Sequence, residues 1–481
     1  MRAAFALLSA MFIGLPPVSA QMALPDLGGT ADASLPPQVE RRIGEDLMRE
    51  IRYRDPDYVD DSEITEYLNL LGGRLVAVAP DVRQAFDFFA IRDGTINAFA
   101  LPGGFIGVNT GLIVSSESES ELASVLAHEI AHVTQRHIAR MVGAQEQMQI
   151  PMIAATIAAI LLGGSRPDLA SGALATVQAT GVQTQLNYTR GFEREADRVG
   201  FQMLASSGYD PRAMAAFFEK LQRSTRVADD GSVPGYLRTH PMSIERMSDA
   251  QNRAENLRYR QTPDSLEYHL VRAKLRAESG DPQDAVGYFA SLLRDRRFAN
   301  ETATHYGLAR ALLRARRVAE AQKEVDWLRA GKAASPMIDT LAADVRHAAG
   351  DDAGALALLE AARVRYPQRR SVLYATIVAL QRLRRNDQAL AALVEPLRLY
   401  RSDGRLYELQ AQCYAALGKQ LLQHQAQAEV YVLRGSLPAA IEQLELARRS
   451  NDGDFYQLSQ VDARLRELRA RHAQIQREQR R

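Results

Sequence analysis

The sequence predicts a mainly α protein in two parts: an N-terminal α+β domain with a small β-sheet, then an α-solenoid of helix pairs. Three observations carry this. Three short β-rich runs stand out between residues 86 and 109, and helices with apolar stripes follow them. After about residue 262 strand signals vanish, and Ala, Leu, Arg and Glu fill helix-length runs. Those runs break at an interval of about 34 residues, the spacing of stacked helix pairs. At 481 residues with 46% hydrophobic content, the chain has material for two cores.

The first element is an export segment. Met1 to Ala20 carries Arg2 as its only charge, an apolar run from Ala3 to Leu15, and Val18-Ser19-Ala20 as a small-residue cleavage site. The run is too short to span a bilayer, and Gln21 rather than Cys follows the site, which argues against lipid attachment. A cleaved secretory signal over 1–20 and a linker over 21–37 are expected. Lys and Arg number 59 against 58 Asp and Glu, so loss of Arg2 leaves an even balance and no electrostatic pull towards nucleic acid. Cys413 is the only cysteine, so no disulfide can form within the chain.

The β-rich runs at 86–91, 96–101 and 105–109 are separated by Asp93-Gly94 and Pro102-Gly103-Gly104, and they read as a small meander. An edge of such a sheet either pairs with an extended polypeptide or simply serves the core.

The most informative stretch comes next. His128-Glu129-Ile130-Ala131-His132 places two imidazoles one helical turn apart with a carboxylate between them. Residues i and i+4 share a helix face, so both rings can aim a nitrogen at one ion, while Glu129, about 100° around, reaches water beside it. Ser118 and Glu121 form a capping box, and Leu122, Val125, Leu126, Ile130 and Val133 give the helix its apolar stripe. Zinc is the ion this pattern takes; two satisfied core histidines are the bland alternative.

Residues 150–162 are uncharged and almost wholly apolar, yet short of the roughly twenty residues a spanning helix needs. A core helix is the first reading. A flap in peripheral contact with a membrane is the second, with Gly163-Gly164 and Gly172 permitting movement.

Catalytic zinc wants a third protein ligand, and a candidate follows in Gly191-Phe192-Glu193-Arg194-Glu195-Ala196-Asp197. Phe192, Ala196, Val199 and Met203 form a buried stripe, with Glu193 and Asp197 four apart beside it; Glu195 is expected to point elsewhere. Glu193 is then a ligand, or one more solvated acid. His240 follows a loop at 228–235 and precedes Pro241, which keeps the backbone extended. Its ring either swings into the open zinc position and makes the site latent, or belongs to a plain loop.

Together with Asn97-Ala98-Phe99-Ala100 upstream and Arg136-His137 after the first helix, these motifs resemble the M48 peptidases over about residues 40–255. The resemblance implies a zincin-like domain with one Zn2+ per chain on His128, His132 and Glu193. It also implies Glu129 as catalytic base and Asp197 as proton donor. Read physically, Asp197 has a second role open to it, holding a zinc-bound imidazole from behind. His137 stays open between a donor near the site and a structural histidine. In such chemistry the ion polarises the scissile carbonyl and acidifies water, and Glu129 carries the proton to the leaving amine. The expected activity is that of a zinc metalloendopeptidase, on a domain spanning 38–262.

The remaining domain, 263–481, breaks at Gly280-Asp281, Arg316-Arg317, Gly350-Asp351, Asn386-Asp387 and Gly418-Lys419. Ala285, Ala321, Ala355 and Ala389 recur after the breaks, where helices approach closely, as in tetratricopeptide repeats. Such an array offers a concave binding surface. The arginines at 363, 365, 369, 370, 382, 384 and 385 mark an acidic partner's footprint, or merely a solvated face. With the export signal, the resemblance implies a periplasmic location, no transmembrane anchor, and unfolded or misassembled exported proteins as substrates. It further implies the outer-membrane β-barrel assembly machinery as partner. The alternative is a repeat-built chaperone or adaptor with little or no proteolysis.

Overall fold

A computed structural model describes residues 35–143, 190–227, 235–255 and 262–479. The export segment, most of the linker, the apolar stretch at 150–162 and the loop before Gly235 lie outside these residues. Helix α1 (Pro37–Arg54) opens on a proline, and α2 (Ser62–Val76) is capped by Asp61, whose carboxylate accepts from the Glu63 and Ile64 amides. Strands β1 (Asp87–Ile91), β2 (Ala98–Leu101) and β3 (Phe105–Asn109) follow, then α3 (Thr110–Ser115), α4 (Glu119–Thr134) and α5 (His137–Gly143). Next come α6 (Arg190–Ser207), α7 (Arg212–Val227), α8 (Gly235–Thr239) and α9 (Ile244–Glu255).

The three strands lie where the sequence predicts them, but they do not form a meander. Their order is β1-β3-β2, with β1 parallel and β2 antiparallel to the central β3. Pro102-Gly103-Gly104 makes the expected tight turn, with Gly103 at φ 77° and Gly104 at φ 87°. Asp93-Gly94 instead carries the chain across the end of β3, where the Asp93 carbonyl accepts from the Gly111 amide at 2.7 Å and from Thr110 Oγ1 at 3.1 Å. A Cβ on Gly111 would sit 2.2 Å from the Gly94 carbonyl oxygen, so this crossing tolerates no side chain there. Alternation then sorts the sheet. Ala90, Ala98, Ala100, Ile106 and Val108 join the core with α2 and α4, whereas Phe89, Phe99, Leu101 and Phe105 pack with α1 and α5.

From Leu266 onwards the described chain is helical, from α10 (Leu266–Glu278) to α21 (Phe455–Gln479). The pairs turn on single left-handed residues, Gly280, Arg316, Gly350, Arg384 and Gly418, at or within two residues of the predicted breaks. Ala285, Ala321, Ala355 and Ala389 are all buried. Their missing bulk is what lets each pair close. No described helix is long and apolar enough to cross a membrane.

The two parts do not keep separate cores. One apolar cluster runs from the sheet through α4 into the solenoid as far as Val345. Polar contacts reinforce this junction. Glu119, at the start of α4, accepts from the Ser265 amide and hydroxyl, while its own amide donates to Asp264 at 2.7 Å. The start of α2 docks on the first helices of three of the pairs. Lys274 of α10 pairs with Asp61 and Glu63, Thr340 of α14 (Pro336–Ala348) bonds Glu63, and Ser371 of α16 (Arg370–Arg382) donates to Glu66. Several arginines of the predicted footprint are spent inside the molecule, Arg365 on Asp339 and Arg370 on Asp403.

Candidate metal centre

Every residue of α4 is buried, so its histidines are held by packing on all sides. Helix α6 crosses it closely. A Cβ on Gly200 would lie 3.1 Å from the His128 amide nitrogen, so glycine at this point lets α6 bring Glu193 and Asp197 against the two rings. His240, just past α8, completes the group, its amide bonded to the Tyr236 carbonyl at 2.9 Å and its ring stacked on Tyr236.

Four donor atoms converge here. His128 Nε2 lies 2.9 Å from His132 Nε2 and 3.3 Å from His240 Nδ1. Glu193 Oε1 lies 3.4 Å from His132 Nε2 and 3.2 Å from His240 Nδ1. Donors arranged tetrahedrally around zinc, each about 2.0–2.1 Å from it, stand about 3.3 Å apart, so these separations fit one ion. His128, His132, Glu193 and His240 are the metal-capable cluster found among the described residues. Its members are almost fully buried.

Glu129 is the group left over. It is fully buried, and its Oε1 lies 3.3 Å from His240 Nε2. Burial raises its pKa. A carboxylate this deeply buried is costly to keep charged, the His240 and His128 rings offset only part of that cost, and such a cost persists where the group works. The Ala100 amide on β2 faces it.

Asp197 and Arg246 stand behind His128. Asp197 Oδ1 lies 2.9 Å from His128 Nδ1, while Arg246 of α9 grips both Asp197 oxygens, at 2.6 and 2.8 Å, and reaches Glu193 Oε2 at 2.7 Å. Burial alone would lower the pKa of His128, but Asp197 and Glu193 outweigh it and bring it to about 9. The field that favours a proton there also favours a metal cation. Burial opposes the charged form of Glu193 too, yet His240, His128 and His132 hold its pKa well below the usual carboxylate range.

His132 has its own support. His137 Nδ1 lies 2.8 Å from His132 Nδ1, and His137 Nε2 lies 3.2 Å from Glu195 Oε2, which Arg140 holds at 2.7 Å. Burial lowers His137 to about 4, which favours the neutral ring; with Nε2 donating to Glu195, its Nδ1 accepts the hydrogen bond from His132 Nδ1–H. That leaves His132 Nε2 free to ligate. Glu195 points away from the donor cluster, as the helical wheel suggests, and anchors His137 instead. Arg246 carries no signal in the sequence, because it reaches the site from a separate helix at no fixed spacing.

The family model described as peptidase family M48 matches residues 65–254. The beta-barrel assembly-enhancing protease of Escherichia coli (strain K12) is 32% identical over 470 residues, covering 96% of this chain and 95% of that protein. Its counterpart from Yersinia pestis is 33% identical over 452 residues, covering 94% and 92%. The chain belongs to peptidase family M48. It is a metallopeptidase of that family, and the mitochondrial metalloendopeptidase OMA1 of Arabidopsis thaliana is a further relative, 29% identical over 46% of this chain and 42% of that protein. Among solved structures, yeast Tom70 aligns with a TM-score of 0.29 at 10% identity over 74% of this chain and 89% of that one, too low to define a shared fold.

Proposed function

We propose that this M48 metallopeptidase is a periplasmic zinc endopeptidase that hydrolyses misfolded or misassembled exported proteins. Outer-membrane β-barrel proteins are the substrates its beta-barrel assembly-enhancing relatives suggest by name. The observation that carries the reading is the convergence of His128, His132, Glu193 and His240 beside the fully buried Glu129 carboxylate.

In this proposal His128, His132 and Glu193 hold the ion. When bound, zinc supplies a Lewis acid that polarises the scissile carbonyl and acidifies water to a pKa of about 7. Glu129 accepts the water proton and returns it to the leaving amine. Asp197 faces His128 and Arg246, not the converging donors, so its position favours aligning the His128 ring over donating a proton to substrate. Asn109 donates to the Asn97 carbonyl, so by alternation Ala98 and Ala100 present their main-chain groups on the outer edge of β2, where an extended substrate strand can pair beside Glu129.

His240 sits where substrate and water must enter. Its Nδ1 is the fourth donor, its Nε2 faces Glu129, and the Tyr236 amide on the same segment occupies the Ile96 carbonyl at the start of β2. The segment carrying α8 therefore keeps the site latent until it moves. The solenoid contributes no residue to the donor cluster, and its inner helices hold α2 instead. It serves as a tether for partners, with tetratricopeptide-type repeats over 263–481, a peptidase domain over 38–262, and a signal removed at Ala20. The β-barrel assembly machinery is the partner this reading assigns to it.

The test is cleavage of unfolded casein by purified protein loaded with zinc. Cleavage that stops on adding phenanthroline and returns with zinc is expected. Zinc bound at one per chain with no cleavage, even after His240→Ala, would favour the chaperone or adaptor reading instead.

A further inference from the structure

A second cleft lies in the solenoid and shares no residue with the donor cluster. It opens between α10, α11 (Pro282–Arg294) and α12 (Glu301–Arg314), with Val114 of α3 at one wall, and its volume is about 380 Å3. His269, Arg272, Arg276 and Arg297 line it, and none of its fourteen lining residues is acidic. Basic and acidic side chains balance at 59 and 58 over the whole chain, so the lack of acids in the lining is local, with Asp264 3.7 Å from His269 Nε2 as its neighbour.

Neighbouring arginines are spent on carboxylates; Arg310 pairs with Glu278 and Asp344. The cleft's arginines are not. Arg276 lies over the Tyr288 ring, 4.7 Å from its centroid. Arg272 donates one N–H to the Val114 carbonyl at 3.0 Å, yet its buried Nε has no hydrogen-bond partner among the described residues. Arg276 and Arg297 are exposed at the rim, Tyr288 is 41% exposed, and Phe298 is partly so. Asn300 caps α12 at the same cleft, which turns the positive end of a fourteen-residue helix towards it.

We propose that this cleft binds an acidic, extended segment of a partner polypeptide. Its Asp or Glu carboxylates lie on the forked guanidinium groups, and its apolar side chains rest on Tyr288 and Phe298. The fork geometry of arginine matches carboxylates in pairs, and aromatic walls give a polypeptide side-chain contacts that a lone anion cannot use. The concave shape favours a chain segment over a flat lipid surface. This site depends neither on the metal nor on the catalytic reading above.

The experiment uses the full chain and a short dye-labelled peptide alternating acidic residues with phenylalanine, read by fluorescence anisotropy. A neutral peptide with Asn and Gln in place of the acids is run beside it. Arg276→Glu with Arg297→Glu is expected to weaken the acidic peptide about tenfold or more. Both residues are exposed, and an unchanged melting temperature verifies the fold. Tyr288→Ala weakens both peptides, whereas Arg448→Glu with Arg449→Glu, on the distant α20 (Leu437–Arg449), leaves binding unchanged. Equal binding of acidic and neutral peptides by the native chain would overturn the proposal. So would an equal loss in the control pair, or binding of phosphatidylglycerol vesicles with no binding of the acidic peptide.

Discussion

Among the described residues, the buried charges around His128 and those around Lys274 are built in opposite ways. At the junction every charge is answered: Lys274, almost fully buried, bonds Asp61 and Glu63, and Thr340 takes a further Glu63 oxygen. At the metal centre four donor atoms lie within 4.8 Å of one another, and the fully buried Glu129 carboxylate beside them has its pKa raised by burial. A satisfied network fixes one arrangement of two domains. One whose charge burial opposes stands ready for an ion and a substrate. The comparison predicts that substitutions in the two clusters separate stability from activity.

The largest effect belongs to Glu129→Gln. It should cut the turnover of casein by about 10²- to 10⁴-fold while zinc content is retained. Because it removes a carboxylate whose charge burial disfavours, it should also raise the melting temperature. A variant that stays active, or that melts earlier, breaks this side of the comparison.

Lys274→Met is the mirror case. It strands Asp61 and Glu63 beside an apolar side chain and should cost about 3 kcal/mol, the low end for a broken buried pair because Asp61 is a fifth exposed. Urea unfolding measures it. Below the melting point kcat should match the native chain, and a variant of native stability would show that the junction network is ornamental.

His137→Ala sharpens the comparison within the metal centre. Without its acceptor, His132 loses the bond that fixes its tautomer, and zinc affinity should fall about 10- to 100-fold in competition with a chelating dye. His137→Gln, which offers an oxygen in the same direction, should recover part of that affinity. Equal affinity in native and Ala forms would reduce His137 to a packing residue.

How much of this was legible follows from the range of each interaction. His128, Glu129 and His132 sit on one helix, so spacing alone gave their geometry; Glu193 needed only a second helix with a readable stripe. The four small residues at Ala285, Ala321, Ala355 and Ala389 were legible for the same reason, because a repeat makes a distant contact local. Arg246 on Asp197 and Lys274 on Asp61 join residues with no periodic relation, and no pattern announces them. The sheet failed at its connection: Asp93-Gly94 looks like a hairpin turn, but the crossing depends on Gly111 meeting Gly94, which turn chemistry cannot show. Glu195 stays off the donor cluster, as the wheel has it, but its bond to His137 could not be read from the wheel.

The most direct test is X-ray absorption at the zinc edge, on zinc-loaded native chain and on His240→Ala. The account predicts one ion per native chain, with three imidazoles and one carboxylate at about 2.0–2.1 Å. It predicts the loss of one imidazole in the variant, together with faster basal cleavage. Fewer than three imidazoles in the native chain, or a spectrum unchanged by His240→Ala, would contradict it.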